Sequence, residues 1–306
     1  MTGPSVPKRA SPGAPTKTVY ARRRLAVSLV GFAIIGLVIA LVAGLAVRWW
    51  EGHGTAIFPS PQDGCVATVG GQTAQLDLEQ AYNAAIIAGV AVQRGLPPRA
   101  VSIAFATALQ ESGLRNLDHG DRDSIGLFQQ RPSQGWGPAR KLENPIYAAT
   151  KFFGALKHIR GYQKMPVYQA AQAVQRSADG SAYIQYERMA AEMTSAFTGQ
   201  HGHAVYCWPA AGGPRHADKA GITEGLASTF GQSTADLARS GPRHTMQVRI
   251  GHPKLGWEVA SWLVTHASRY GVHEVRFGGY QWRAAAGTKG WVRDAGAPPA
   301  GTIQLS

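Results

Sequence analysis

Residues 25–47 run for 23 consecutive positions without a charge, rich in Leu, Val, Ile and Ala. Such a run, coiled as a helix, reaches across a hydrocarbon layer of about 30 Å. The chain is therefore expected to carry a single N-terminal transmembrane helix at residues 25–47. Lys8, Arg9, Lys17, Arg22, Arg23 and Arg24 precede the run without an acidic residue, whereas Arg48, Trp49, Trp50 and Glu51 follow it. That basic bias puts the N-terminus in the cytoplasm and everything beyond Trp50 outside the cell membrane. A cleaved signal peptide would show an apolar core of about 7–15 residues and small residues at the cut, which this stretch lacks. Residues 1–24, with Pro4, Pro7, Pro12 and Pro15 among Gly, Ser and Thr, bury too little apolar surface to offset the entropy of ordering. They read as a disordered cytoplasmic tail.

The formal net charge is +13, and six of those charges belong to the tail, leaving +7 for the remainder. The tail charge has a topological explanation. The outer surplus suits an anionic surface such as wall polymers or lipid headgroups. Outside the tail no run of Lys and Arg interleaves with aromatics, so no nucleic-acid partner is expected. The two cysteines, Cys65 and Cys207, both fall on the outer side, where disulfides persist, and are expected to pair and clasp the ends of the intervening segment.

Residues 48–75 read as a connector. From Asp77, a plausible cap, helical spacing runs to Gln93 and Gly95 stops it. Pro97-Pro98 then opens a helix ending at Ser112, with Gly113 as its stop. Further helical segments are expected at 145–162, 167–177 and 181–197, making residues 76–208 an all-α domain. Pro209, Gly212, Gly213 and Pro214 mark residues 209–221 as a linker. Residues 222–306 read as a small α+β module of unknown role, with helices near 223–237 and 257–270 and strands at 246–250, 273–283, 290–292 and 302–305. The expected fold class is thus mainly α, with one membrane helix, an all-α domain and a small C-terminal α+β domain.

Glu111 stands at the end of the second helix. Ala104, Thr107 and Ala108 share its strip, and Val101, Phe105 and Leu109 form an adjacent apolar ridge. An apolar wall beside a carboxyl disfavours its charged form, which is what a general acid requires. On its own, the residue reads better as a solvated glutamate at a helix end.

The flanking sequence tips that balance. Leu109-Gln110-Glu111-Ser112-Gly113 is followed by Ser124-Ile125-Gly126-Leu127-Phe128-Gln129-Gln130-Arg131-Pro132 and by the block from Glu143-Asn144-Pro145 to Phe153. Together these resemble the lysozyme-like superfamily, in particular the soluble lytic transglycosylase and goose-type lysozyme group, over residues 76–193. The resemblance implies a lysozyme-like helical domain that cuts the β-1,4 bond between N-acetylmuramic acid and N-acetylglucosamine in peptidoglycan. It implies that Glu111 is the catalytic acid and that Ser124 positions Glu111 or the sugar. It further implies that Gly126 and Leu127 shape the cleft floor and that Gln129 binds substrate hydroxyl or acetamido groups. The family's last block, which ends in tyrosine and asparagine, reads Val174-Gln175 here. Gln175 can replace the amide, but Val174 cannot donate a hydrogen bond.

Two courses stay open. A lytic transglycosylase uses one glutamate as acid and then as base, and the muramyl 6-hydroxyl attacks to give a 1,6-anhydro end. An inverting lysozyme needs a second carboxylate about 6.5–9.5 Å away to activate water, for which Asp121 and Asp123 are the candidates. A non-catalytic membrane-anchored wall-binding or scaffold protein is the alternative class, and a muralytic component of secretion or conjugation machinery is a further one. His201, His203 and His216 lack the spacing of a metal site, so no metal is expected. No cofactor is expected either, and without a phosphate-binding loop or a nucleophile elbow, nucleotide and acyl-transfer chemistry lack support.

Overall fold

The computed structural model describes residues 63–177, 181–209, 216–241, 245–298 and 300–306. Asp77 opens the first helix of these through a capping box: its carboxylate accepts from the Gln80 N–H at 2.8 Å, while the Gln80 side chain accepts from the Asp77 N–H at 3.0 Å. The helix that follows, α1, spans Leu78–Gln93, and α2 spans Pro98–Ser112 with proline at its first turn. Gly113 ends α2 in the left-handed conformation, at φ 62°. Alanine is so frequent in α2 that residues 100–109 are buried on every side, which makes it the central helix of its region. Around it pack α1, α3 (Pro145–Lys157), α4 (Val167–Gln175) and α5 (Glu187–Phe197). Ser181–Tyr186, expected as the first turns of the last helix, is instead a 3-10 segment that also lies against α2.

The expectation of a mainly α chain with an all-α domain is overturned by two antiparallel sheets. Strands β1 (Gly64–Val69), β2 (Gln72–Leu76) and β3 (Val205–Trp208) form the first, in the order β2-β1-β3. The supposed connector is thus a β-hairpin. Its two-residue turn is Gly70-Gly71, with φ of 58° and 81°, the positive angles that a tight hairpin demands and glycine supplies. Strand β3 returns from the far side of the helices to pair with β1, placing Cys65 directly opposite Cys207. The two cysteines are bonded and buried.

The six-stranded second sheet has the order β4-β5-β9-β6-β7-β8, all neighbours antiparallel. Its strands are β4 (Ala238–Ser240), β5 (Met246–Arg249), β6 (Glu274–Phe277), β7 (Tyr280–Arg283), β8 (Val292–Arg293) and β9 (Thr302–Leu305). The stretch 273–283, expected as one strand, is a hairpin folded at Gly278-Gly279, again with two positive φ angles. Helices α6 (Lys219–Phe230) and α7 (Pro253–Thr265) complete the segment. Both pack on α1, so α1 is shared by the helical region and the two C-terminal helices, and α7 in turn packs on the sheet.

The membrane part of the expected fold class rested on residues 25–47, which lie outside the described residues. Among the described residues no helix is long and apolar enough to cross a membrane.

Candidate active site

Glu111 sits in the last turn of α2, half-buried, and the turn beyond it is fixed from below by α1. Gln80 donates to the Gly113 carbonyl at 2.9 Å and Asn83 to the Leu114 carbonyl at 2.8 Å. Leu114, fully buried, locks the stop with its N–H on the Ala108 carbonyl at 3.0 Å. Ser112 reaches sideways, its hydroxyl donating to the Leu127 carbonyl at 2.7 Å. The helix end and the loop after it are therefore one rigid piece.

The Glu111 carboxylate has a partner that the sequence reading missed. Tyr183, from the 3-10 segment, donates its hydroxyl to Glu111 Oε1 at 2.6 Å. Its ring is 2% exposed. Burial first, and then the bond to Glu111, push the Tyr183 phenol well above its usual range, so it stays a donor. One carboxylate oxygen is thus occupied, which fixes the orientation of the other. No tyrosine remains at the end of α4, and Val174 there is buried. The hydroxyl comes instead from eight to nine residues downstream, in Ala182-Tyr183-Ile184. An amphipathic tyrosine in a short segment between two helices was the available signal.

The loop 124–130 is closed by a pair of backbone bonds between Ile125 and Gln130, at 3.1 and 3.0 Å. Gly126 turns it with φ 77°, and a Cβ there would fall 2.4 Å from the Leu142 carbonyl oxygen. Packing on Leu142 thus requires that this residue have no side chain. Leu127 and Phe128 are fully buried, Phe128 stacked on Phe152 with centroids 4.5 Å apart. Both belong to the core. Ser124 is buried at 8% exposure. Gln129, at φ 46°, folds its amide back onto the carbonyls of His119 and Gly126 at 3.3 and 3.2 Å. Gln175 donates to the Phe128 carbonyl at 2.8 Å, while its Oε1 is buried with no partner. That oxygen leaves part of the amide's hydrogen-bonding capacity unused in a covered position.

Neither candidate second carboxylate is arranged as a base. Asp123 accepts from the Ser133 N–H at 2.8 Å, the Ser133 hydroxyl at 3.0 Å and Arg131 Nε at 2.7 Å. Those bonds, the Ser133 N–H foremost, hold its carboxyl far below the usual range. Asp121 is 92% exposed, with Arg122 Nε at 4.0 Å. A cavity of about 670 Å³ opens elsewhere, between α1 and α6, lined by Tyr82, Glu143, Glu224, Arg269 and others, and takes in none of these residues. His203 is engaged by Tyr280, ring against ring at 4.2 Å.

Compared with known proteins, the chain matches no family model and no curated protein. Its functional reading therefore stands on the geometry and on the resemblance of its motifs.

Proposed function

We propose that the protein cleaves peptidoglycan glycan strands at the β-1,4 bond between N-acetylmuramic acid and N-acetylglucosamine, with Glu111 as the proton donor. The observation that carries this reading is the buried Tyr183 hydroxyl on Glu111 Oε1, at 2.6 Å. Glu111 is the one acidic residue of α2, and its carboxyl is steered from a fixed scaffold rather than left on a mobile surface. With Oε1 held, the second oxygen carries the proton toward the leaving glycosidic oxygen while positive charge builds at the anomeric carbon.

The single-carboxylate course is favoured over the inverting one. A base must take up a proton, and Asp123 holds its proton affinity low through three donors. After bond cleavage Glu111 is itself an anion, able to deprotonate the muramyl 6-hydroxyl, whose oxygen closes on the anomeric carbon to leave a 1,6-anhydro end. The buried Cys65–Cys207 bond supports work in an oxidising compartment outside the cytoplasm.

Purified protein incubated with peptidoglycan should lower turbidity and release muropeptides one water lighter than hydrolysed ones. Glu111→Gln should reduce the rate by about 10²–10⁴-fold. Equal inertness of wild type and Glu111→Gln on several peptidoglycans would sink the enzyme and leave a wall-binding scaffold.

A further inference from the structure

A second cavity, of about 560 Å³, lies where the first sheet, the end of α5 and the C-terminal segment meet. Its walls come from the β1–β2 hairpin at Thr68–Gly70, from residues 200–206 and from Lys289 and Trp291. That volume falls in the range of small-ligand sites, about 300–1,000 Å³. Two half-buried rings, Tyr206 and Trp291, line it together with His201, His203, Gln200 and Lys289.

Both rings are set in place. Trp291 Nε1 donates to the Val205 carbonyl at 2.7 Å, and its indole meets Trp257 edge-on at 5.3 Å. Tyr206 lies against Gly290 so closely that a Cβ there would come within 2.8 Å of the ring. The 200–204 segment is bent around the same spot: His203 holds φ 48°, and Gly202 is pressed on the Trp257 indole. Non-glycine residues in that region are costly and persist where the surroundings impose them, commonly at binding sites. Side chains that offer an apolar face and a polar edge suit a ligand with both.

We propose that this cavity is a glycan-binding subsite, separate from Glu111, that takes a stretch of N-acetylated wall glycan. The choice of wall glycan rests on the cleavage reading of Glu111. The apolar C–H faces of a pyranose stack on Tyr206 and Trp291, while Gln200, His201 and His203 bond its hydroxyl and acetamido groups. Among the described residues no carboxylate lines the cavity, and Lys289 supplies one cation, suited to the acidic substituents of a muramyl residue. The subsite stands at the far end of α5 from the catalytic pair. Tyr183 comes shortly before α5 and Gln200 shortly after it, and the helix's eleven residues put its ends about 16 Å apart. A long strand therefore engages both places and a short one does not.

The test uses the full chain carrying Glu111→Gln, so that sugar is bound without being cut. Tryptophan fluorescence is followed while N-acetylglucosamine oligomers of increasing length are added, and in parallel with inorganic polyphosphate. Saturable change with the oligomers, tightening with length, and a Kd weakened at least tenfold in the exposed double variant His201→Ala/Gln200→Ala are expected. Trp291→Phe, which keeps an aromatic core, should weaken binding similarly while its thermal transition stays cooperative. Binding unaltered by either variant overturns the proposal, as does response to polyphosphate alone, which marks a polyanion site. In the Glu111-intact protein, His201→Ala/Gln200→Ala should raise KM on intact peptidoglycan and leave kcat on short oligomers unchanged. Absence of cleavage in wild type counts against the Glu111 reading and leaves the binding result standing, so the two failures are distinguishable.

Discussion

Gln175 Nε2 lies 2.8 Å from the carbonyl oxygen of Phe128 and joins the end of α4 to the loop that Ser112 holds from the other side. Removing the amide leaves that carbonyl with one bond fewer in a part-buried place. Gln175→Ala should therefore cost about 1–2 kcal/mol. For a folded unit of this size that lowers Tm by roughly 2–8 °C. Calorimetry reads the stability, and the rate on peptidoglycan should fall further than the lost stability explains, because the loop that Ser112 ties to the Glu111 turn loses its hold on α4.

Tyr183→Phe keeps the ring in the core and deletes only the hydroxyl on Glu111. A hydrogen bond to a charged group contributes about 1.5–3 kcal/mol. With part of that realised in the transition state, kcat should fall about tenfold or more. Steady-state kinetics compared with the melting curve separates the two effects: a variant with unchanged rate would detach Tyr183 from the chemistry.

Asp123 distinguishes the two chemical courses. Its folded carboxyl titrates far below its ordinary value, so its contribution to stability is present above the unfolded value near 3.8 and is lost as pH falls through the folded one. Asp123→Asn should be less stable than wild type at pH 7, with the gap closing in acid. It should still yield anhydro products. Loss of all cleavage in a folded Asp123→Asn, with hydrolysed ends in wild type, would restore the two-carboxylate course.

Much of the helical framework is legible in the sequence because its signals are local. Asp77, Pro98 and Gly113 mark α1 and α2 within a residue or so. The β-hairpin at Gly70-Gly71 was equally local, but its glycines and threonines read as a connector because β1 finds its second partner, Val205–Trp208, far along the chain. No window of sequence contains that pairing. The same holds at the site: Glu111 stood out through its motif, whereas Tyr183 reaches it across 72 positions. The motif residues Leu127, Phe128 and Gln129 carry the pattern yet face the core or their own loop. A conserved-looking turn can be written by packing demands as readily as by substrate contact.

The bond between Cys65 and Cys207 spans a sequence separation of 142. Constraining so long a loop in the unfolded chain stabilises by up to about 5 kcal/mol in the chain-entropy account. Reduction, or Cys65→Ser with Cys207→Ser, should lower the denaturation midpoint markedly while leaving the Tyr183–Glu111 geometry in place. Activity at low temperature should survive reduction, and the loss should appear on warming.

His266 gives the chain an acid-sensitive core. It is 2% exposed, stacked on Trp262 at 4.0 Å and close to Tyr82 at 4.2 Å, with Nδ1 placed 2.7 Å from the Trp262 carbonyl. Burial, the largest influence, brings its pKa down from 6.5 to about 3. The unfolded chain then binds a proton that the folded one refuses, so stability is complete above about pH 6.5 and drains away as pH falls toward 3. At about 1.4 kcal/mol for each pH unit the loss reaches several kcal/mol. His266→Phe keeps the ring stack without the proton and should flatten this limb of the stability curve. Urea midpoints measured between pH 4 and 7 read the slope directly. An unchanged slope in His266→Phe would move the acid sensitivity to another group.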